Sequence, residues 1–180
     1  MQRGLIICVL MGLLMYPPSS ANAQLITQNE VKAAVNSLNF IRGLHSKGGR
    51  LKLAVVYDPS VAISQNDADV MMQVLQKQSS LKVGSLQPKL VPVSELQTLL
   101  DYNVVMVARG VRDYYTGISS LLQGGNHIFA MSTDESCVVS HFCVLAVQPG
   151  QGVNILLNEE IMKRQGFDVN AAFRFMVKKI

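Results

Sequence analysis

Short, nearly continuous apolar runs alternate with amphipathic stretches along most of this chain. Residues 51–57, 103–108 and 127–131 have the length and continuity of strands buried on both faces. Between them the spacing changes to i, i+3, i+4. It predicts a helix over 29–47 on Val31, Ala34, Val35, Leu38, Ile41 and Leu44, with Glu30 early, Lys47 late and Gly48-Gly49 as the stop. A second helix is expected over 68–77 on Val70, Met71, Val74 and Leu75, and a third over 114–123 before Gly124-Gly125. Pro88 and Pro92 leave a strand open at either 82–86 or 89–93. Ser94 with Gln97 three residues on reads as a capping box for a short helix to Leu100. Residues 143–147 and 153–157 suggest a hairpin, and 159–164 and 169–179 two helices split by Gly166.

Strands alternating with helices predict an α/β fold of three layers, a mostly parallel sheet flanked by helices (Rossmann-like). The C-terminal hairpin would add an antiparallel edge. With no internal repeat or linker, residues 24–180 read as a single domain.

The first 23 residues follow another rule. Arg3 gives a short positive start, 4–16 are almost wholly apolar, Pro17-Pro18 break the run, and Ala21-Asn22-Ala23 offers small residues for cleavage. This is the order of a secretory signal peptide, and the apolar run falls short of the ~20 residues a bilayer span needs. Residues 1–23 are therefore expected to be removed after Ala23, leaving a periplasmic product with no transmembrane segment.

Export changes how the cysteines are read. Only Cys137 and Cys143 follow the leader, and in an oxidising compartment they are expected to form a disulfide. The rival is a metal cluster of Cys137, His141 and Cys143, which lacks an evident fourth ligand. The formal charge of +4 is spread out, with pairs only at Lys163-Arg164 and Lys178-Lys179, and gives no stripe for nucleic acid.

Catalytic motifs are absent. No nucleophile elbow, P-loop, dinucleotide fingerprint or zinc-protease motif occurs, and His45, His127 and His141 have no local link to a nucleophile. The reading is a non-enzyme without cofactor or metal. Ligands of open α/β sheets sit at the carboxyl ends of strands, here Asp58, Ser60, Arg109, Thr133 and Asp134. The same residue types also start loops and cap helices. On the last predicted helix Phe173, Met176, Val177 and Ile180 share a face while Phe175 points elsewhere, so Phe173, Phe175 and Met176 are candidates to face a partner. Tyr114 and Tyr115 are a second candidate pair.

From 137 to 180 the order is a cysteine pair, a strand, a Gly-marked turn, a strand ending at Asn158, a helix, Gly166 and a last apolar helix. Upstream lie Asn39-Phe40-Ile41, the strand from Leu53 to Tyr57, Leu90-Val91-Pro92-Val93 and the strand from Asn103 to Ala108. This order resembles the YfiR/HmsC-like family of small periplasmic regulatory proteins. Two family features are missing: a Trp-Pro after the first helix, where Gly48-Gly49-Arg50 stands, and a further cysteine pair. The chain would thus be a divergent member. The resemblance implies a non-catalytic regulator that holds an inner-membrane signalling protein inactive through its periplasmic region. The target implied is a diguanylate cyclase, with cyclic-di-GMP and biofilm output downstream. On that model the short loop closed by Cys137 and Cys143 makes their redox state a candidate influence on folding and so on release.

Residues 53–60 also look like the opening strand and loop of ABC-transporter solute-binding proteins. On that alternative the chain is a single lobe, and a closed cleft would need a homodimer.

Overall fold

Thr27 opens the first helix with a reciprocal cap. Its hydroxyl accepts the Glu30 N–H at 3.3 Å while the Glu30 carboxylate accepts the Thr27 N–H at 2.7 Å. This Thr-x-x-Glu signal starts α1 (Gln28–Ser37), and a 3₁₀ turn at Leu38–Phe40 follows. The structure, a computed structural model, describes residues 26–44, 49–78, 80–122, 125–148 and 154–180. The expected signal peptide, residues 45–48, Gly124 and the hairpin turn at 149–153 lie outside the described residues.

The chain continues through β1 (Ile41–Arg42), β2 (Arg50–Tyr57), α2 (Ala62–Lys77), β3 (Ser80–Leu81) and β4 (Gly84–Pro92). A 3₁₀ segment at Val93–Asp101 leads to β5 (Val104–Val107), α3 (Tyr115–Leu122), β6 (Phe129–Ser132) and α4 (Glu135–Val139). Then come β7 (Leu145–Gln148), β8 (Asn154–Leu157), α5 (Glu159–Arg164), β9 (Asp168–Val169), α6 (Ala171–Met176) and β10 (Lys178–Lys179).

Eight strands form the main sheet in the order β10-β8-β7-β6-β5-β2-β4-β3, and β1 pairs with β9 apart from it. The run β4-β2-β5-β6-β7 is parallel; β7 with β8 and β3 with β4 are antiparallel. The expected mostly parallel α/β sheet is therefore present, with its C-terminal hairpin in the register Leu145 opposite Leu157.

Alternation along each strand builds a core on each face. Leu51, Leu53, Val55, Met106 and Phe129 join α1, α2, α5 and α6 on one side. Ala54, Val56, Val105, Val107 and Ala130 join α3, α4 and the 3₁₀ segment on the other. Leu53 and Met106 are fully buried, so truncating either to Ala would cost about 2–5 kcal/mol.

Several local expectations are corrected. The first helix ends at Ser37, ten residues before the expected stop, because Ile41–Arg42 pairs with Asp168–Val169. Helix α2 begins at Ala62 rather than 68. The two alternatives merge into β4, whose outer side pairs with β3 only at Ser85 and Gly84, so Pro88 needs no outward donor. The Ser94 capping box does not form, since the 3₁₀ segment starts after Pro92 with no side-chain cap. The last helix stops at Met176 because Lys178 and Lys179 pair parallel with Leu156 and Leu157. That pairing also means β8 is not the sheet's edge.

Candidate functional site

β2 and β5 are neighbours whose following connections leave in opposite directions, one through α2 to β4 and the other through α3 to β6. Carboxyl ends at such a reversal form the crevice where α/β sheets take ligands. The loops after β2, β5 and β6 carry Asp58 and Ser60, Arg109, and Thr133 and Asp134 respectively.

Asp58 turns inward on its own loop. Its Oδ1 accepts the Ser60 N–H at 2.9 Å and the Ser60 hydroxyl at 2.6 Å, while its backbone N–H donates to Ser64 Oγ at 2.9 Å. The next loop crosses directly beside α2. A Cβ placed on Gly110, where φ is +80°, would stand 2.8 Å from Val61 Cγ1 and 3.2 Å from Ile63 Cγ2. Only glycine lets these two loops close on each other.

Arg109 is held by Asp67, a residue the sequence reading did not single out. Arg109 Nε donates to Asp67 Oδ2 at 2.7 Å and Nη2 donates to Oδ1 at 2.6 Å, with side-chain exposures of 14% and 0%. Hydrogen bonding to Asp67 raises the guanidinium above its ordinary range, against an opposing effect of burial. The signal was present in the helix spacing: Asp67 shares the buried stripe of α2 with Ser64, Ala68, Met71, Val74 and Leu75. A carboxylate on an apolar helix face requires a partner.

Arg109, Thr133 and Asp134 line one hollow with Glu135 and Gln148, of ≈ 190 Å³. Asp58 and Ser60 are not among its lining residues. Asp134 Oδ1 caps α4 by accepting the Ser136 N–H at 2.9 Å, and Oδ2 accepts the Tyr115 hydroxyl at 3.2 Å. Gln148 donates its amide N–H to the Glu135 carboxylate. Thr133 is 1% exposed, and its hydroxyl oxygen has no hydrogen-bond partner. A buried hydroxyl left unpaired costs roughly 1–3 kcal/mol.

The partner-facing candidates divide. Tyr115 is buried, 5.4 Å from the Phe142 ring, and burial pushes its phenol well above the ordinary range. Phe173 is buried too, stacked on Phe40 at 5.0 Å. These two do not face a partner, because each completes a core its helix was built to cover. Phe175 and Met176 project to solvent at 91% and 60% exposure, with Tyr114 and Ile180 also exposed. Met176 and Ile180 therefore do not share the buried face of Phe173.

The disulfide is formed between Cys137 and Cys143, joining the middle of α4 to the approach of β7. Beside it Asn158, which is buried, donates from Nδ2 to Val138 O at 3.3 Å and lies 3.0 Å from His141 Nδ1. Its Oδ1 accepts the Ile161 N–H at 3.0 Å and so caps α5. Among the described residues no His, Cys, Asp and Glu group is arranged to hold a metal ion. No helix among them is long and apolar enough to cross a membrane.

No family model matches the chain. No curated protein matches it either. Solved structures do. A conserved domain protein from Vibrio cholerae O1 biovar El Tor matches at TM-score 0.58 and 11% identity, over 84% of this chain and 59% of that one. The ABC domain in complex with L-Trp from Streptococcus pneumonia matches at 0.60 and 9%, over 84% and 59%. The likeness is one of fold. A third, a substrate binding protein with adhesive properties from Clostridium difficile in its ligand-free, open structure, matches at 0.54 and 14%, over 72% and 54%. The chain spans less than two thirds of the length of each.

Proposed function

We propose that this chain is a non-catalytic binding module related to one lobe of substrate-binding proteins. On this reading it takes a small polar solute at the carboxyl edge of its sheet. The observation that carries this is the unpaired hydroxyl of Thr133, buried in the lining of a hollow that also holds Arg109, Asp134 and Gln148. A ligand donor or acceptor there would relieve an otherwise costly orphan group. The fold likeness to a protein described as substrate-binding, and to one solved in complex with L-Trp, supports the same reading. A hollow this small holds part of a solute, so the remainder would be covered by a second lobe or a second copy. Export through residues 1–23 would place the module in the periplasm.

Thermal melting against a panel of amino acids, small sugars and short peptides tests this. At a hundred times its dissociation constant a bound solute stabilises by about 2.7 kcal/mol, a shift of roughly 5–10 °C. The shift should disappear in Thr133→Val. A flat panel would count against solute binding.

A second reading has its own observation. Phe175 and Met176 are exposed apolar side chains on a surface helix, and Ile180 follows on the sheet edge. They suit a protein partner, and the resemblance to the YfiR/HmsC-like family makes that partner an inner-membrane signalling protein, a diguanylate cyclase by expectation. Crosslinking from position 175 in the intact envelope should then capture a membrane protein with a cyclase output domain. Capture of a transporter permease would favour the solute reading instead.

A further inference from the structure

At the amino end of the sheet, opposite the strand-end hollow, two adjoining hollows of ≈ 370 and ≈ 420 Å³ share Lys52, Gln87, Asp101 and Tyr102 in their linings. They form one open groove. Its floor is the part of β2 and β4 that the 3₁₀ segment at Val93–Asp101 leaves uncovered. Lys52 stands opposite Gln87 in the parallel register, and Lys89 stands opposite Ala54. Since alternate residues share a face, Arg50, Lys52, Gln87 and Lys89 all project on the side of the sheet that Ala54 and Val56 occupy.

Three cations thus lie on one face, and none of the ion pairs formed among the described residues involves them. In register they extend from the level of Arg50 to that of Ala54, roughly 13 Å along the strands. Such a row matches a ligand whose negative charges repeat along its length better than a single compact anion. The rest of the lining is not basic. Tyr102 is half-buried and lines both hollows, and Gln87 and Asn126 supply amides. Asn103 is fixed at the rim: its Oδ1 accepts the Lys52 N–H at 3.0 Å, and its N–H donates to Lys52 O at 3.0 Å. Asp101 is the one carboxylate in the groove and can accept hydrogen bonds from hydroxyl groups.

We infer that this groove binds an acidic oligosaccharide, its carboxylates along Arg50, Lys52 and Lys89 and a sugar ring against Tyr102. Amides and a carboxylate beside an aromatic ring fit hydroxyl-rich rings. A nucleic acid groove would instead carry several stacking aromatics, whereas Tyr102 is the one aromatic residue in this lining. The inference is independent of the strand-end hollow, which shares no lining residue with this groove.

Calorimetric titration of the full mature chain with tetragalacturonate at low salt tests it, with cellotetraose as the neutral counterpart. Saturable binding of the acidic tetramer alone is expected. Lys52→Gln with Lys89→Gln should weaken it by about tenfold or more, and Tyr102→Leu should weaken it at unchanged charge. The lysines are exposed, so unchanged melting of the double variant would show that it still folds. Absence of binding, equal binding of cellotetraose, or retention of affinity in the folded double variant would overturn the inference. Tighter binding of an oligo-deoxythymidylate, or full competition by inorganic phosphate, would also overturn it by showing a general anion surface.

Discussion

Arg109 and Asp67 meet in a two-pronged ion pair between the end of β5 and the second turn of α2, with Asp67 wholly removed from solvent. The pair ties together the two connections that diverge at the reversal of strand order. Removing one member strands the other charge in a poorly solvated place. Asp67→Asn is expected to lose about 3–5 kcal/mol in urea denaturation. Asp67→Asn with Arg109→Met should lose less than the single variant. If the double variant loses the sum of both singles, the two side chains do not act as a unit.

The Cys137–Cys143 bridge closes a short loop. On the chain-entropy estimate such a loop stabilises by about 2 kcal/mol, which corresponds to roughly 4–8 °C in melting temperature. Cys137→Ala with Cys143→Ala should melt lower by that amount, and reductant should lower only the parent. Coincident melting curves for parent and variant would show that the bridge adds nothing.

Asn158 serves three neighbours at once: the α5 cap, the Val138 carbonyl and His141. Asn158→Ala removes a cap worth about 1 kcal/mol and leaves buried groups unpaired at a similar cost. A loss of about 2 kcal/mol or more is expected from denaturant titration. A change below about 0.5 kcal/mol would mean that water replaces all three contacts.

Tyr115 sets a pH dependence. Burial is the largest cause of its raised pKa, and the Asp134 carboxylate that accepts its hydroxyl proton in a hydrogen bond adds to the rise. The folded state therefore keeps the phenol proton where the unfolded chain would release it. Its stabilising contribution is complete below about pH 10 and is lost as pH rises from there through the folded value. Tyr115→Phe should show a shallower alkaline decline in unfolding free energy than the parent. Parallel declines would contradict this.

The parallel centre of the fold was legible because β5, β6 and residues 53–56 of β2 are buried on both faces and so read as apolar runs. The hairpin and α5 were legible for similar local reasons. The C-terminus was not. Residues 169–179 have helical spacing, yet Asp168–Val169 pairs with β1 and Lys178–Lys179 with β8, leaving only six residues for α6. Tertiary pairing overrode a local pattern. Helix α4 is only five residues long, too short to show a helical period, although Asp134 is an ordinary N-cap. At the strand ends the sequence showed which residues reach the carboxyl edge, but not that Asp67 would claim Arg109. Nor could it show that Tyr115 and Phe173 turn inward while Phe175 does not, since their neighbours come from distant segments.

The most direct test of a solute site at the carboxyl edge is an amide chemical-shift titration of the ¹⁵N-labelled protein, residues 24–180, with amino acids, small sugars and short peptides in turn. A binding solute should move the amide signals of Arg109, Thr133, Asp134 and Gln148 together and saturably. If no member of the panel moves those four signals, or a binder perturbs only residues elsewhere, the hollow is not the binding site.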